Sequence, residues 1–163
     1  MVMAVIKVGI ADLNVAVKPD TITTLGLGSC VGVTFYDSSK KIAGLAHVML
    51  PSTELSKAAV LNKAKFADSA LPELLRRMVE LGAIPRRIQA KMAGGAQMFN
   101  FKDPSGQKSI GDRNIEACKV ALRKLGIPLV AEDVGGNYGR TIELFTETGI
   151  LEVRAISKEI KHI

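Results

Sequence analysis

Two short alternations of apolar and polar residues, 31–36 and 42–50, flank the run Asp37-Ser-Ser-Lys40. Period-two patterning on both sides of turn-forming residues specifies an antiparallel hairpin. Further short strands surround it. Residues 5–17 alternate as one or two strands broken near Gly9, Pro19-Asp20 turns the chain, and the β-branched stretch Thr21–Leu27 follows. Only two segments carry helical spacing. Residues 64–81 place Phe66, Ala70, Leu74, Leu75, Met78 and Leu81 on one face, with Gly82 just past the helix end and Pro85 beyond. Pro72 falls inside this pattern and marks a helix start or a kink. A second helix over 112–125 buries Ile115, Ala117 or Val120, and Leu122, and stops at Gly126 before Pro128. Each helix leads into a strand and a glycine pair: 87–93 before Gly94-Gly95, and 129–134 before Gly135-Gly136. A hairpin of 141–146 and 150–156 around Glu147-Thr-Gly149 closes the chain. Strands thus outnumber helices by about three to one in mostly hairpin-connected order, which favours a layered α+β domain over a doubly wound α/β one.

Composition narrows the classes. The chain has 163 residues, 47% hydrophobic and 23% charged, enough for one domain with its own core and unlike a disordered chain. No apolar run reaches the roughly 18 residues of a membrane span, and residues 1–7 lack the basic-then-apolar order of a secretion signal. The expected location is the cytoplasm, with Cys30 and Cys118 as free thiols. The net charge is +6, and residues 57–91 hold eight bases (Lys57, Lys63, Lys65, Arg76, Arg77, Arg86, Arg87, Lys91) against three acids (Asp68, Glu73, Glu80). Such a face serves an acidic partner, an anionic surface or solvent. Two Tyr, five Phe and no Trp, scattered without motif, argue against nucleic acid.

His47, one of two histidines, lies 17 residues after Cys30, on the partner strand of the first hairpin. With the turn centred between Ser38 and Ser39, Tyr36 opposes Lys41, Thr34 opposes Ala43, Gly32 opposes Leu45 and Cys30 opposes His47. Opposed Cβ atoms lie about 4.5–5.5 Å apart, close enough for a thiol to reach an imidazole. Alternation sends Val31, Val33 and Phe35 to the other face with Ile42, Ala46 and Val48, the core side, and leaves Gly32 and Thr34 beside the Cys/His pair. A free thiol, with a pKa near 8.5, is mostly protonated at neutral pH, and a neighbouring imidazole converts it to the nucleophile of acyl transfer. The glycine-rich turn before Cys30 offers backbone N–H groups, at Gly28 and Ser29, to an oxyanion. An imidazole base also needs an orienting partner, and the hydroxyl of Thr24 on the incoming strand is the best placed.

Other patterns fail on context. Gly28-Ser-Cys-Val-Gly32 has the spacing of a nucleophile elbow but leads into a strand rather than a helix. The glycines miss the dinucleotide fingerprint, and no Lys-Ser/Thr follows a glycine pair. Cys30, Cys118 and a frayed C-terminal His162 lack metal-ligand spacing, so no metal is expected. Cys118 reads as core packing. Asp68, Gly94-Gly95, Asn114 and the stretch from Glu132 to Asn137 read as pocket walls or tight turns without assigned chemistry.

Six segments occur in order along nearly the whole chain: Thr24-Leu-Gly-Leu-Gly-Ser-Cys30, Ala46-His-Val-Met-Leu-Pro51, Lys65-Phe-Ala-Asp68, Ala93-Gly-Gly-Ala-Gln-Met-Phe99, Ile110-Gly-Asp-Arg-Asn114 and Ala131-Glu-Asp-Val-Gly-Gly-Asn137. Together they resemble the CheD family of chemoreceptor glutamine deamidases. The resemblance implies a layered α/β/β sandwich and hydrolysis of glutamine side-chain amides on chemoreceptor helices to glutamate, with ammonia released and no cofactor. It implies Cys30 as nucleophile, His47 as base and Thr24 as the third catalytic residue, and the chemotaxis phosphatase CheC as a further partner. The basic stretch 57–91 would suit acidic receptor helices. Two other readings stand beside this one: a different cysteine amidohydrolase, and a catalytically idle adaptor that binds phosphatase or receptor.

Overall fold

A computed structural model describes residues 3–98 and 108–163. Alternation along the strands decides the layering. The strands are β1 (Val5–Val8), β2 (Leu13–Val17), β3 (Thr21–Leu27), β4 (Val31–Asp37) and β5 (Ile42–Val48). Helix α1 (Ala67–Glu80), β6 (Ile88–Gly94), α2 (Ile110–Leu125), β7 (Leu129–Val134), β8 (Arg140–Phe145), β9 (Leu151–Arg154) and β10 (Lys161–His162) complete the order. One sheet runs β1-β3-β8-β9-β10 and the other β2-β5-β4-β6-β7. The β1/β3 and β6/β7 pairs are parallel and the rest antiparallel. In the second sheet Val31, Val33, Phe35, Ala46 and Val48 face Leu71, Leu74 and Met78 of α1 and Cys118 and Leu122 of α2. The intervening Ala43, Leu45 and Ala93 face Ile22, Leu27, Ile142 and Leu144 of the first sheet. The result is the expected α+β layered α/β/β sandwich with two main helices, and both faces of the central sheet are core.

The first hairpin keeps its expected faces and changes its register. Asp37 pairs with Ile42 and Gly32 with His47, so Cys30 does not oppose His47 directly. The Asp37 carboxylate causes the shift. It accepts from Ser39 N–H (2.9 Å) and Ser39 Oγ (2.6 Å), an Asx turn that moves the loop onto residues 38–41 and extends the ladder to the end of β4. A slip of two preserves side-chain parity, so Cys30 and His47 stay on one face as diagonal rather than opposed neighbours.

Helix α1 begins three residues later than its pattern, because Lys63–Lys65 form a separate 3-10 turn. Pro72 neither starts the helix nor precedes it; it lies in the interior, where the N–H it lacks would serve the Asp68 carbonyl. Ser109 caps α2 by accepting from Asp112 N–H (3.2 Å), and Gly126 ends it at φ +70°. Its buried stripe holds Asn114 and Cys118, whereas Val120 faces outward. His162 is not frayed: it pairs with Glu152 in β10. Phe99, which ends one of the six segments, lies outside the described residues. No helix among the described residues is long and apolar enough to cross a membrane.

Candidate active site

Strand β3 lies in the first sheet and β4 in the second, so Gly28-Ser29-Cys30 carries the chain across the open end of the sandwich. A bulge between Thr24 and Leu27 turns both of these side chains inward while Leu25 stands 64% exposed. His47, on β5, points into the same seam from the second sheet and is fully buried. The Thr24 hydroxyl from one sheet therefore meets the imidazole from the other, with Oγ1 2.6 Å from Nδ1.

One hydrogen decides the tautomer. Thr24 Oγ1 donates to the Val8 carbonyl at 2.7 Å, so toward His47 it has only a lone pair to offer. His47 must then donate through Nδ1–H, which leaves Nε2 as the basic nitrogen. Nε2 is buried and accepts no hydrogen bond from Cys30 or any other described residue. Burial holds the imidazole well below its ordinary range, at about 4. Burial also pushes the half-buried Cys30 thiol up, opposed in part by a hydrogen bond from its own N–H. The resting pair is a neutral thiol beside a neutral base.

Three donors hold the crossover by its carbonyls: Ala96 N–H on Gly28 (2.8 Å), the Asn114 amide on Ser29 (2.9 Å) and Gly95 N–H on Cys30 (2.8 Å). In a trans peptide the N–H points opposite the carbonyl, so the N–H groups of Ser29 and Cys30 turn away from these anchors. No backbone carbonyl among the described residues accepts from either. The N–H of Gly28 is engaged by the Gly26 carbonyl at 3.1 Å. Gly28 thus serves the crossover through its carbonyl, and the donors that no described carbonyl engages are those of Ser29 and of Cys30, the latter turned to its own thiol.

The glycine pairs make this bracing possible. Gly94 has φ +106°, and a Cβ there would stand 2.4 Å from the Cys30 carbonyl oxygen. A Cβ on Gly111 would lie 2.5 Å from the carbonyls of Gly95 and Ala96, so its absence lets the first turn of α2 seat on that turn and brings Asn114 to Ser29. The second pair packs beside the first: Gly135 N–H bonds the Gly94 carbonyl and Gln97 N–H the Gly136 carbonyl, both at 2.9 Å. Buried Arg140 bonds the Gly135 carbonyl (2.8 Å) and pairs with Asp133 (3.5 Å). Asn114, read from the sequence as a pocket wall or part of a tight turn, is a brace between the Ser29 and Met49 carbonyls. Its spacing of three from Gly111, which puts both on one helical face, is the signal that could have shown it.

The basic run does not form one face. Arg76 pairs with Glu73 and Glu80 on the exposed side of α1, and Arg77 with Glu73. Lys91 lies on the opposite face of the sheet from the helices, where it donates to the carbonyls of Gly149 (2.9 Å) and Ile163 (2.7 Å). Asp68 tethers the preceding loop by accepting from Thr53 N–H at 3.0 Å. A groove of about 770 Å³, lined by Leu25, Gly26, Met98, Tyr138, Arg140 and Ile156, opens beside the crossover.

Fold and site define a three-layer α/β/β protein with a thiol, an imidazole and a hydroxyl gathered where its two sheets meet. The chain belongs to the CheD family: the family model described as CheD chemotactic sensory transduction matches residues 49–155. It is 54% identical over 159 residues, 98% of each chain, to the chemoreceptor glutamine deamidase CheD of Halalkalibacterium halodurans. It is 52% identical over 159 residues, 97% of each chain, to the probable chemoreceptor glutamine deamidase CheD of Clostridium novyi. The corresponding protein of Geobacillus kaustophilus is 48% identical over 97% of this chain and 96% of its own.

Proposed function

We propose that the whole chain acts as one domain that hydrolyses glutamine side-chain amides of chemoreceptors to glutamate, with Cys30 as nucleophile, His47 as base and Thr24 as its orienting partner. The observation that carries this reading is the 54% identity, over 98% of the chain, to a protein named for that activity. The Thr24–His47 contact and the N–H groups of Ser29 and Cys30, which no described carbonyl engages, supply chemistry consistent with it.

As the Cys30 sulfur bonds to the amide carbon, its proton passes to His47 Nε2, and the carbonyl oxygen becomes an oxyanion facing the Ser29 and Cys30 N–H groups. Collapse breaks the C–N bond, His47 returns the proton to the leaving nitrogen, and ammonia departs. Water then adds to the thioester with His47 again taking a proton. The carboxyl product leaves, and the thiol regains its hydrogen. Atoms and charge balance with water as the only co-reactant. The reading places the protein in the cytoplasm beside receptor helices, with CheC as a second partner.

The test is mass spectrometry of a chemoreceptor cytoplasmic fragment incubated with the protein and with Cys30→Ala. The expected result is a gain of about 1 Da per converted glutamine, seen only with the intact thiol. A gain that persists in Cys30→Ala would remove the thiol mechanism. No gain with either would leave the adaptor reading in its place.

A further inference from the structure

We propose that Asn114 is a positioning residue that aims the oxyanion donor of Cys30 and holds the nucleophile crossover in register with the strand bearing His47. The inference rests on reading Cys30 and His47 as the reacting pair. Asn114 is fully buried on the second turn of α2. Its amide nitrogen donates to the Ser29 carbonyl (2.9 Å) and to the Met49 carbonyl (3.0 Å). Ser29 immediately precedes the thiol residue, and Met49 follows the imidazole residue by two. One planar group therefore bridges the two segments that supply nucleophile and base.

The consequence for chemistry follows from peptide planarity. The Ser29 carbonyl and the Cys30 N–H belong to one rigid unit, so anchoring the first fixes the direction of the second. Both neighbours are acceptors, so only the amide nitrogen can face them, and Oδ1 is left buried without a partner among the described residues. A residue kept only to fill space would shed that unpaired oxygen by being apolar. The amide nitrogen holds the backbone at two carbonyls at once, which an apolar residue of the same size could not do. The seat of Gly111 against the Gly95 and Ala96 carbonyls makes α2 a rigid base for this reach.

Two readouts test the proposal in Asn114→Ser and Asn114→Leu. The first is steady-state deamidation of the receptor fragment, where kcat is expected to fall about 100-fold, the scale of a lost oxyanion donor, with KM changed less than about threefold. The second is alkylation of Cys30 by iodoacetamide across pH, read by peptide mass spectrometry, with buried Cys118 as an internal reporter of the fold. Asn114→Ser is expected to slow alkylation about tenfold in the parent and less than about twofold in a His47→Ala background, because it acts through the pairing with His47. Cys118 stays unlabelled. Equal losses in both backgrounds, an unchanged kcat, or labelling of Cys118 in both variants would overturn the proposal and assign Asn114 to the fold alone. His47-dependent alkylation without any deamidation would fail the functional reading and still leave the Asn114 comparison decisive.

Discussion

His47 is neutral at rest because the seam that hides it also removes the water that would solvate a cation. The sign of its pH dependence follows. Its pKa is about 4 in the folded protein against an ordinary 6.5, so protonation favours the unfolded chain. The stability that neutral His47 contributes is complete above about pH 6.5, declines as pH falls, and is gone near pH 4; the full difference is about 3 kcal/mol. Urea titrations between pH 4 and 7 are expected to show this slope in the parent and not in His47→Gln, and a pH-independent difference between the two would remove the buried neutral imidazole. With His47 as the proposed base, the same value sets the acid limb of deamidation. The rate is expected to hold down to about pH 5 and fall with an apparent pKa near 4, below the range of a solvent-exposed histidine. In the proposed reaction the neutral thiol gives up its proton during attack, so the Nδ1–H tautomer imposed by Thr24 and the Val8 carbonyl matters at that step.

At the scale of elements, the turn after β6 bears on Cys30 as directly as the crossover that carries it. Gly94→Ala would set a Cβ against the Cys30 carbonyl at a left-handed φ, and the crossover must move to admit it. The expected outcome is a stability loss of about 2 kcal/mol in chemical denaturation and a kcat reduced about 10- to 100-fold. Gly9→Ala, where a Cβ meets nothing within 4 Å, is the control that should change neither. An active, stable Gly94→Ala would show the crossover to be held without its neighbour. The periodicities that build these elements were legible in the sequence: the helix ends at Gly82 and Gly126, the faces of the first hairpin, and the strand between Cys30 and the turn. The hairpin register was not, because the Asp37 carboxylate, rather than the local pattern, sets where pairing ends. The meeting of Thr24 with His47 lay beyond local patterning as well. The chain changes sheets before β2, before β3 and again at residues 28–30, and no residue-scale signal says which sheet a strand will join. Asn114 was hidden for the opposite reason, as a polar residue on a stripe read for apolar ones.

Over the whole molecule, the two ends of the sandwich differ. Cys30 precedes β4, and Asp37 at the far end of that strand, about 20 Å away, accepts from Ile84 N–H beyond the C-terminus of α1. The N-terminus of α1 lies at the Cys30 end, where Ala67 N–H bonds the Leu50 carbonyl at 3.0 Å. Arg76 and Arg77 therefore sit about 14 Å down the helix from the site, already paired with Glu73 and Glu80. At the near end three apolar side chains are exposed: Leu25 from β3, Met49 after β5 and Met98 after β6, at 64%, 38% and 47% exposure. In the proposed reaction, a receptor segment that delivers a glutamine to Cys30 has to cover this rim before it reaches the arginines. Leu25→Glu is expected to raise KM for the receptor fragment about tenfold, the loss of roughly 1.4 kcal/mol of apolar burial. Reversal of both Arg76 and Arg77 to Glu should leave KM and its salt dependence within about twofold. If the arginine variant instead loses binding and Leu25→Glu does not, the receptor approaches across the helical layer, and the groove beside Leu25 is not its path.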